Sequence, residues 1–169
     1  MAYLTRLSAD QRRALARLSG LAGDVYLAGD TAVAIHVDHR GSVDLEGVPV
    51  DIVRYPYPPI EGPQPVGLEV EVAGLRDLAA MKLLAISRRG LRRDFWDLAR
   101  ILDTGLPLDD ALLAYQLRFG RGAGDLYPVL RALTWFDDAE RDPILPAGLT
   151  PAGWAEIRAS FERRVPPAV

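Results

Sequence analysis

The stretch Asp77-Leu78-Ala79-Ala80-Met81-Lys82-Leu83-Leu84-Ala85-Ile86-Ser87, then Arg88-Arg89-Gly90, then Arg93-Asp94-Phe95-Trp96-Asp97-Leu98, decides the class of fold. Leu78, Met81, Leu83 and Leu84 recur at helical spacing, so 77–87 reads as a helix, and Gly90 stops it. Phe95, Leu98, Ile101 and Leu102 mark a second helix over 93–102. The pairing sets Lys82 mid-helix, with Leu78, Met81 and Ala85 as helical neighbours, so its stem can pack while its head reaches outwards. Asp94 opens the next helix after a short basic turn and is close enough in the chain to lie beside it.

Downstream, Leu108–Phe119 and Asp125–Asp137 read as two further helices. Thr150 is an N-cap before Pro151 at the first position of a last helix, which runs to about Arg164. Pro166 and Pro167 read as a frayed tail. Upstream, Ser8-Ala9-Asp10-Gln11 fits a capping box before a helix at 9–20. Residues 25–28 read as a short buried strand, Gly29-Asp30-Thr31 as a turn, and 32–37 as a short helix. Apolar and polar residues alternate over 42–46 and 48–55 around Gly47, which predicts a hairpin. Tyr55-Pro56-Tyr57-Pro58-Pro59 breaks it, and Pro63 and Pro65 predict irregular chain before a strand at 68–72. The order is α+β: a lobe with a small mixed sheet at 1–74, then a helical lobe at 75–169 packed against it. The proline-rich stretch 56–65 is a loop inside the first lobe, because a strand follows it.

With 169 residues, 49% of them hydrophobic, the chain can bury a core, and global disorder is excluded. A net charge of −3 argues against a general nucleic-acid coat, although a local basic face is compatible with it. The absence of Cys excludes disulfides and thiol nucleophiles, and two His residues cannot build a multi-histidine metal centre. No apolar run reaches the ~18 residues of a membrane helix. The first residues lack the apolar core of a signal peptide. The expectation is a soluble cytoplasmic protein with no membrane partner. Of the 20 Lys and Arg residues only Lys82 is a lysine. Arg-favouring codons would explain the bias. A position that needs a compact ammonium rather than a planar guanidinium would explain the exception.

Three clusters could carry chemistry. Asp44 and Glu46 are two apart on a strand and share a face, and a tight hairpin at Gly47-Val48 sets Asp51 across from Asp44. Three carboxylates on one face suit Mg²⁺ or Mn²⁺, whereas an isolated Asp-x-Glu is more often the solvent side of a two-faced hairpin. Gly29-Asp30-Thr31 could present backbone N–H groups and a hydroxyl to phosphate, or be a simple helix cap. Lys82 with the arginines of 88–93 could hold a triphosphate or an RNA backbone, or be a solvated turn. His39-Arg40 precedes the acidic strand, and a lone His there reads as structural. Neither a Walker loop nor a nucleophile elbow is present.

Taken together, these segments resemble one family. Residues 26–34 (Tyr26-Leu27-Ala28-Gly29-Asp30-Thr31-Ala32-Val33-Ala34), residues 39–46 (His39-Arg40-Gly41-Ser42-Val43-Asp44-Leu45-Glu46), 77–85 and 93–98 look, in this order, like the motifs of the AbiEii-type nucleotidyltransferase toxins. The active-site lobe of that family is similar to polymerase-beta-like nucleotidyltransferases. The segment from Asp125 to Glu140 also resembles the family's C-terminal region, so the likeness spans about 20–162.

The resemblance implies that two carboxylates hold Mg²⁺ (or Mn²⁺) on a nucleoside triphosphate. An RNA hydroxyl, of tRNA in the better-known members, attacks the α-phosphate and pyrophosphate leaves. It implies a toxin with a cognate antitoxin as partner. It maps Asp44 and Glu46, with Asp51, to the metal, and Gly29, Thr31, Ser42 and Arg93 to the nucleotide. It maps Lys82 and Asp94 to later catalytic positions, with Asp97 as the alternative to Asp94. The chain departs from the pattern at three places. Asp30 stands for the turn's second Gly, Glu46 for the second Asp, and the chain is short between Glu46 and Val48. Asp30 and Glu46 keep a second class of function in view, a catalytically decayed member that binds RNA or a protein partner. A third reading leaves the acids as surface residues of a helical domain.

Overall fold

A computed structural model describes residues 13, 16, 26–37, 56–67, 70–123, 126–143 and 145–165. In chain order these form α1 (Asp30–Val37), β1 (Pro63–Gln64), β2 (Val72–Ala73), α2 (Leu75–Arg89), α3 (Arg92–Asp103), α4 (Leu108–Ala123), α5 (Tyr127–Leu133), α6 (Asp137–Arg141) and α7 (Pro151–Arg164). The described part is therefore mostly helical with a two-stranded antiparallel sheet, in keeping with α+β.

Helix α2 is the centre. Leu78, Ala79, Ala80, Lys82, Leu83 and Ile86 are all buried, so its interior is covered on more than one face, as expected of a core helix. It packs on α3, α4 and α5, and the small side chains of Ala79 and Ala80 allow close approach. Gly90 ends it in the left-handed region at φ 53°, ψ 39°, a conformation that costs a residue with a Cβ about 1–2 kcal/mol. Its N-terminus lacks a local side-chain cap, and Glu61 serves from a distance, accepting from the Arg76 N–H at 3.3 Å.

Helix α3 is strongly two-faced. Phe95, Leu98, Ile101 and Leu102 go inward, while Arg100 and Asp103 stay in solvent. Phe95 meets Trp154 and Phe161 of α7 edge-on, at centroid distances of 5.8 and 5.6 Å, and Phe136 at 5.3 Å. Such pairs add roughly 0.5–1.5 kcal/mol each beyond their buried area, and here they fix α7 on α3. Thr150 caps α7 as its sequence predicts, its hydroxyl oxygen accepting from the Gly153 N–H at 3.0 Å.

Several expectations are corrected. The single helix expected over 125–137 is two. The N–H groups of Thr134 and Trp135 reach back only three residues, to Arg131 and Ala132, and this tightening ends α5. The break turns Phe136 into the core between Phe95 and Trp154. Pro63 is not irregular chain. It begins β1 opposite Ala73, at a strand start where its missing N–H is tolerated. Of the strand expected at 68–72, residues 68 and 69 lie outside the described residues, and the strand described is Val72–Ala73. Beside it Leu27 forms one parallel bridge to Val72, all that the described residues show of the strand expected at 25–28. The hairpin of 42–55 lies outside the described residues. So does the helix of 9–20, apart from Arg13 and Ala16, which are helical. No described helix is long and apolar enough to cross a membrane.

Candidate functional site

The site is built where β2, the turn before α1, and the helices α2 and α3 meet. The Leu27 N–H donates to Glu71 O at 2.8 Å and the Ala73 N–H to Leu27 O at 2.9 Å, which fastens the turn to β2. His36 adds a second tie, its Nε2 lying 2.9 Å from Ala73 O. Gly29 then takes φ 77°, the left-handed value that lets the chain reverse directly into α1. Asp30 is the first residue of α1, so its carboxylate lies at the positive end of the helix dipole. Thr31, next to it, is buried.

The Asp30 carboxylate pairs with the ammonium of Lys82, whose residue is only 3% exposed. Helix α3 supplies two more carboxylates, Asp94 and Asp97, both fully buried and three residues apart, hence on one face. Lys82 Nζ lies 2.7 Å from Asp97 Oδ2 and 3.3 Å from Asp94 Oδ1. Asp94 is held from its other side by Arg89 across the Gly90 turn. Arg89 Nε donates to Oδ2 and Nη2 to Oδ1, each at 2.9 Å, a planar fork on a planar carboxylate. Arg93 Nε lies 3.8 Å from Asp30 Oδ2. Three acids thus face Lys82, Arg89 and Arg93, and the charges balance.

Burial alone would push the Lys82 ammonium down. Asp97, Asp30 and Asp94 together outweigh it and hold the group above its ordinary value. The hydrogen bond to Asp94 likewise holds the Arg89 guanidinium up, against some desolvation. The centre therefore offers a fixed, fully charged ammonium in a drier surround, where a point charge acts more strongly than in water.

The structure brings together Gly29, Thr31, Lys82, Asp94 and Arg93 from the sequence-derived candidates, and Asp97, the alternative to Asp94, lies nearer to Lys82 than Asp94 does. Ser42, Asp44, Glu46 and Asp51 lie outside the described residues, as do His39 and Arg40. Among the described residues no group of three or more His, Asp or Glu side chains is arranged to hold a metal ion, so the acids around Lys82 are engaged by cations of the protein itself. The reading of Lys82 as a solvated residue is overturned by its burial. The basic turn is not one free cluster either: Arg89 is on Asp94, and Arg92 donates to Asp142 O at 2.7 Å. Sequence reasoning missed one buried pair. Asp77 of α2 pairs with Arg118 of α4 and accepts from the N–H groups of Ile60 and Glu61 at 2.9 and 3.0 Å. Arg118 also donates to the Tyr26 hydroxyl at 3.1 Å, so this pair ties the proline-rich loop and the chain before Gly29 to the helical core. The long separation of these residues in sequence left no local signal for it.

Lys82 is thus a buried, charged lysine held between a glycine turn and a helical pair, with a carboxylate from each of Asp30, Asp94 and Asp97 on its ammonium. Residues 45–169 match the family described as nucleotidyl transferase AbiEii toxin, type IV toxin–antitoxin system. The chain belongs to that family, whose class is the nucleotidyltransferase toxin of a toxin–antitoxin pair. The matched span contains Lys82, Asp94 and Asp97, while the Gly29 turn precedes it. A curated relative, the uncharacterized protein aq_aa25 of Aquifex aeolicus (strain VF5), is 26% identical over 205 aligned positions, covering 96% of this chain and 97% of its own. The alignment is longer than the 169 residues here, so the relative carries segments that this chain lacks. No solved structure matches the chain.

Proposed function

We propose that the chain transfers a nucleoside monophosphate from a nucleoside triphosphate to an RNA acceptor, with tRNA as the acceptor class, as the toxin of a toxin–antitoxin pair acting in the cytoplasm. The observation that carries the reading is Lys82: the one lysine of the chain, buried, charged, and set beside the Gly29 turn in a chain of this family. In this reading residues 1–74 form the nucleotide lobe and 75–169 the helical lobe. Gly29, Thr31, Ser42 and Arg93 face the nucleotide. Asp44 and Glu46, with Asp51, are the carboxylates for Mg²⁺ or Mn²⁺, which would neutralise the triphosphate and orient it. The acceptor hydroxyl forms a bond to the α-phosphorus as the bond to pyrophosphate breaks, and the hydroxyl proton passes to a base or to solvent. Lys82 offers a positive charge to the phosphorane, and Asp94 and Asp97 keep that charge oriented.

A second reading has its own observation. Asp30, which replaces a glycine of the family turn, places a carboxylate on the ammonium that a phosphate would use. That favours a decayed member which binds RNA or a protein partner without transfer. The test incubates the full chain with Mg²⁺, each labelled nucleoside triphosphate in turn, and total tRNA. Label appearing in RNA is the expected result. Absence of transfer, together with triphosphate binding gained in Asp30→Gly, would decide for the decayed binder.

A further inference from the structure

A groove of about 350 Å³ opens beside the Gly90 turn, between the end of α2 and the α5–α6 segment. It is lined by Arg88, Arg89 and Arg131, by Tyr127 and Trp135, and by Asp138 among others. Tyr127 and Trp135 are two of the large hydrophobic residues that stay exposed, at 56% and 50%. The other two tryptophans are buried. The groove is cationic against the sign of the whole chain, which is −3. The one acid in its lining, Asp138, is paired with Arg141. Among the described residues neither Arg88 nor Arg131 has a carboxylate within salt-bridge distance. Arg89 belongs to both places: it lines the groove and it holds Asp94, which touches Lys82.

We propose that this groove is a binding site for single-stranded RNA, with bases stacked on Trp135 and Tyr127 and phosphates on Arg88 and Arg131. Aromatic faces accept any base, and arginines follow the backbone, so the site would be tolerant of sequence. An anionic polymer is repelled by the net charge elsewhere and drawn here. Because Arg89 lines the groove and also holds Asp94, a strand bound there lies next to a residue of the Lys82 centre. The proposal rests on the transfer reading only for the identity of that strand as the acceptor.

The test measures anisotropy of a labelled single-stranded RNA of about ten nucleotides, long enough to span a stacking platform, on the full-length chain. Trp135→Ala is expected to weaken binding by roughly tenfold or more, through loss of one stacking platform. Arg131→Gln should reduce the salt dependence by about one phosphate contact, a slope change of ~0.7 for a single strand. Both side chains are exposed, so melting temperatures should stay at the wild-type value. Trp135 fluorescence should be quenched by the RNA in the wild type and not in Trp135→Ala. Absence of RNA binding in the wild type overturns the proposal, and so does binding that both variants leave unchanged. Loss of a co-purified protein partner from the variants with RNA binding intact also overturns it, and makes the groove a protein interface. The outcomes separate from those of the transfer reading. A chain that binds RNA in the groove without moving label loses only the transfer reading, and one that moves label equally well in the groove variants loses only the groove.

Discussion

Replacing Lys82 by methionine removes the ammonium and keeps much of the packed stem. Asp94 and Asp97 remain, both fully buried, with Asp30 beside them. Asp94 retains Arg89, but Asp97 loses a cation at 2.7 Å. Breaking one side of a buried ion pair costs about 3–5 kcal/mol, because the remaining charge is left uncompensated. That is a large part of the ~5–15 kcal/mol that holds a domain folded. With a urea dependence of about 2 kcal/mol per molar, the midpoint of unfolding should fall by roughly 2 M. Adding Asp97→Asn should recover part of the loss, since it removes the negative charge that the Lys82 ammonium balanced. The assay is equilibrium urea unfolding at pH 7 of the wild type, the single variant and the double variant. A loss below about 1 kcal/mol, the worth of a surface pair, would falsify the buried-cluster argument. No recovery in the double variant would show that Asp97 is not the charge at stake.

The pH dependence follows from the same centre. Lys82 titrates above its ordinary 10.5 in the folded chain, so its stabilisation is complete below that value and disappears as the pH rises through the folded value. The difference in stability between wild type and Lys82→Met should therefore shrink above about pH 10.5, and a constant difference up to unfolding would refute it. Asp30→Gly should tighten triphosphate binding, measured by calorimetry; equal affinities would mean that the nucleotide does not approach Lys82 from the turn. Lys82→Arg should lower transfer by ~2–4 kcal/mol of transition-state stabilisation, and wild-type turnover would remove Lys82 from the chemistry. Thr150→Ala should cost about 1 kcal/mol of thermal stability through the lost cap of α7, and an unchanged melting temperature would mean that the cap contributes nothing.

Helices α2, α3 and α7 are legible because their signals are local. Apolar spacing marks α2 and α3, Gly90 marks the break between them, and Thr150-Pro151 marks the start of α7. The break after Leu133 was not legible, since its cause is tertiary: Phe136 leaves the helical path to pack between Phe95 and Trp154. Pro63 misleads for a related reason, because a proline is a breaker in isolation but is tolerated where β2 offers a partner at a strand start. The turn at Gly29, the pairing of Lys82 with Asp94 and the availability of Asp97 could be read from spacing and resemblance. The direction of Asp30 could not. It depends on where α2 lies relative to α1, which no local pattern encodes. The Asp77–Arg118 pair was hidden in the same way, its members being on different helices.

Asp30 changes how any experiment on Lys82 must be interpreted. Without a carboxylate at position 30, the lysine would keep the two from α3. Here Asp30 supplies a third, with Arg93 behind it at 3.8 Å. A triphosphate arriving at the Gly29 turn brings more negative charge to the same place, and Asp30 must rotate away or the nucleotide must bind weakly. Rotation is feasible, because Asp30 is the outermost of the three acids: its side chain is 12% exposed, whereas Asp94 and Asp97 are sealed. The inner pair therefore maintains the lysine and the outer acid competes with the ligand. It follows that variants of Lys82, Asp94 or Asp97 mix loss of fold with loss of chemistry, while Asp30 variants leave the inner pair intact. Asp30→Asn keeps the shape of the side chain and removes the competing charge. If it binds triphosphate as tightly as Asp30→Gly does, charge rather than backbone freedom at the turn governs entry. If only Asp30→Gly tightens binding, backbone freedom at the turn is what the close approach of the phosphates requires.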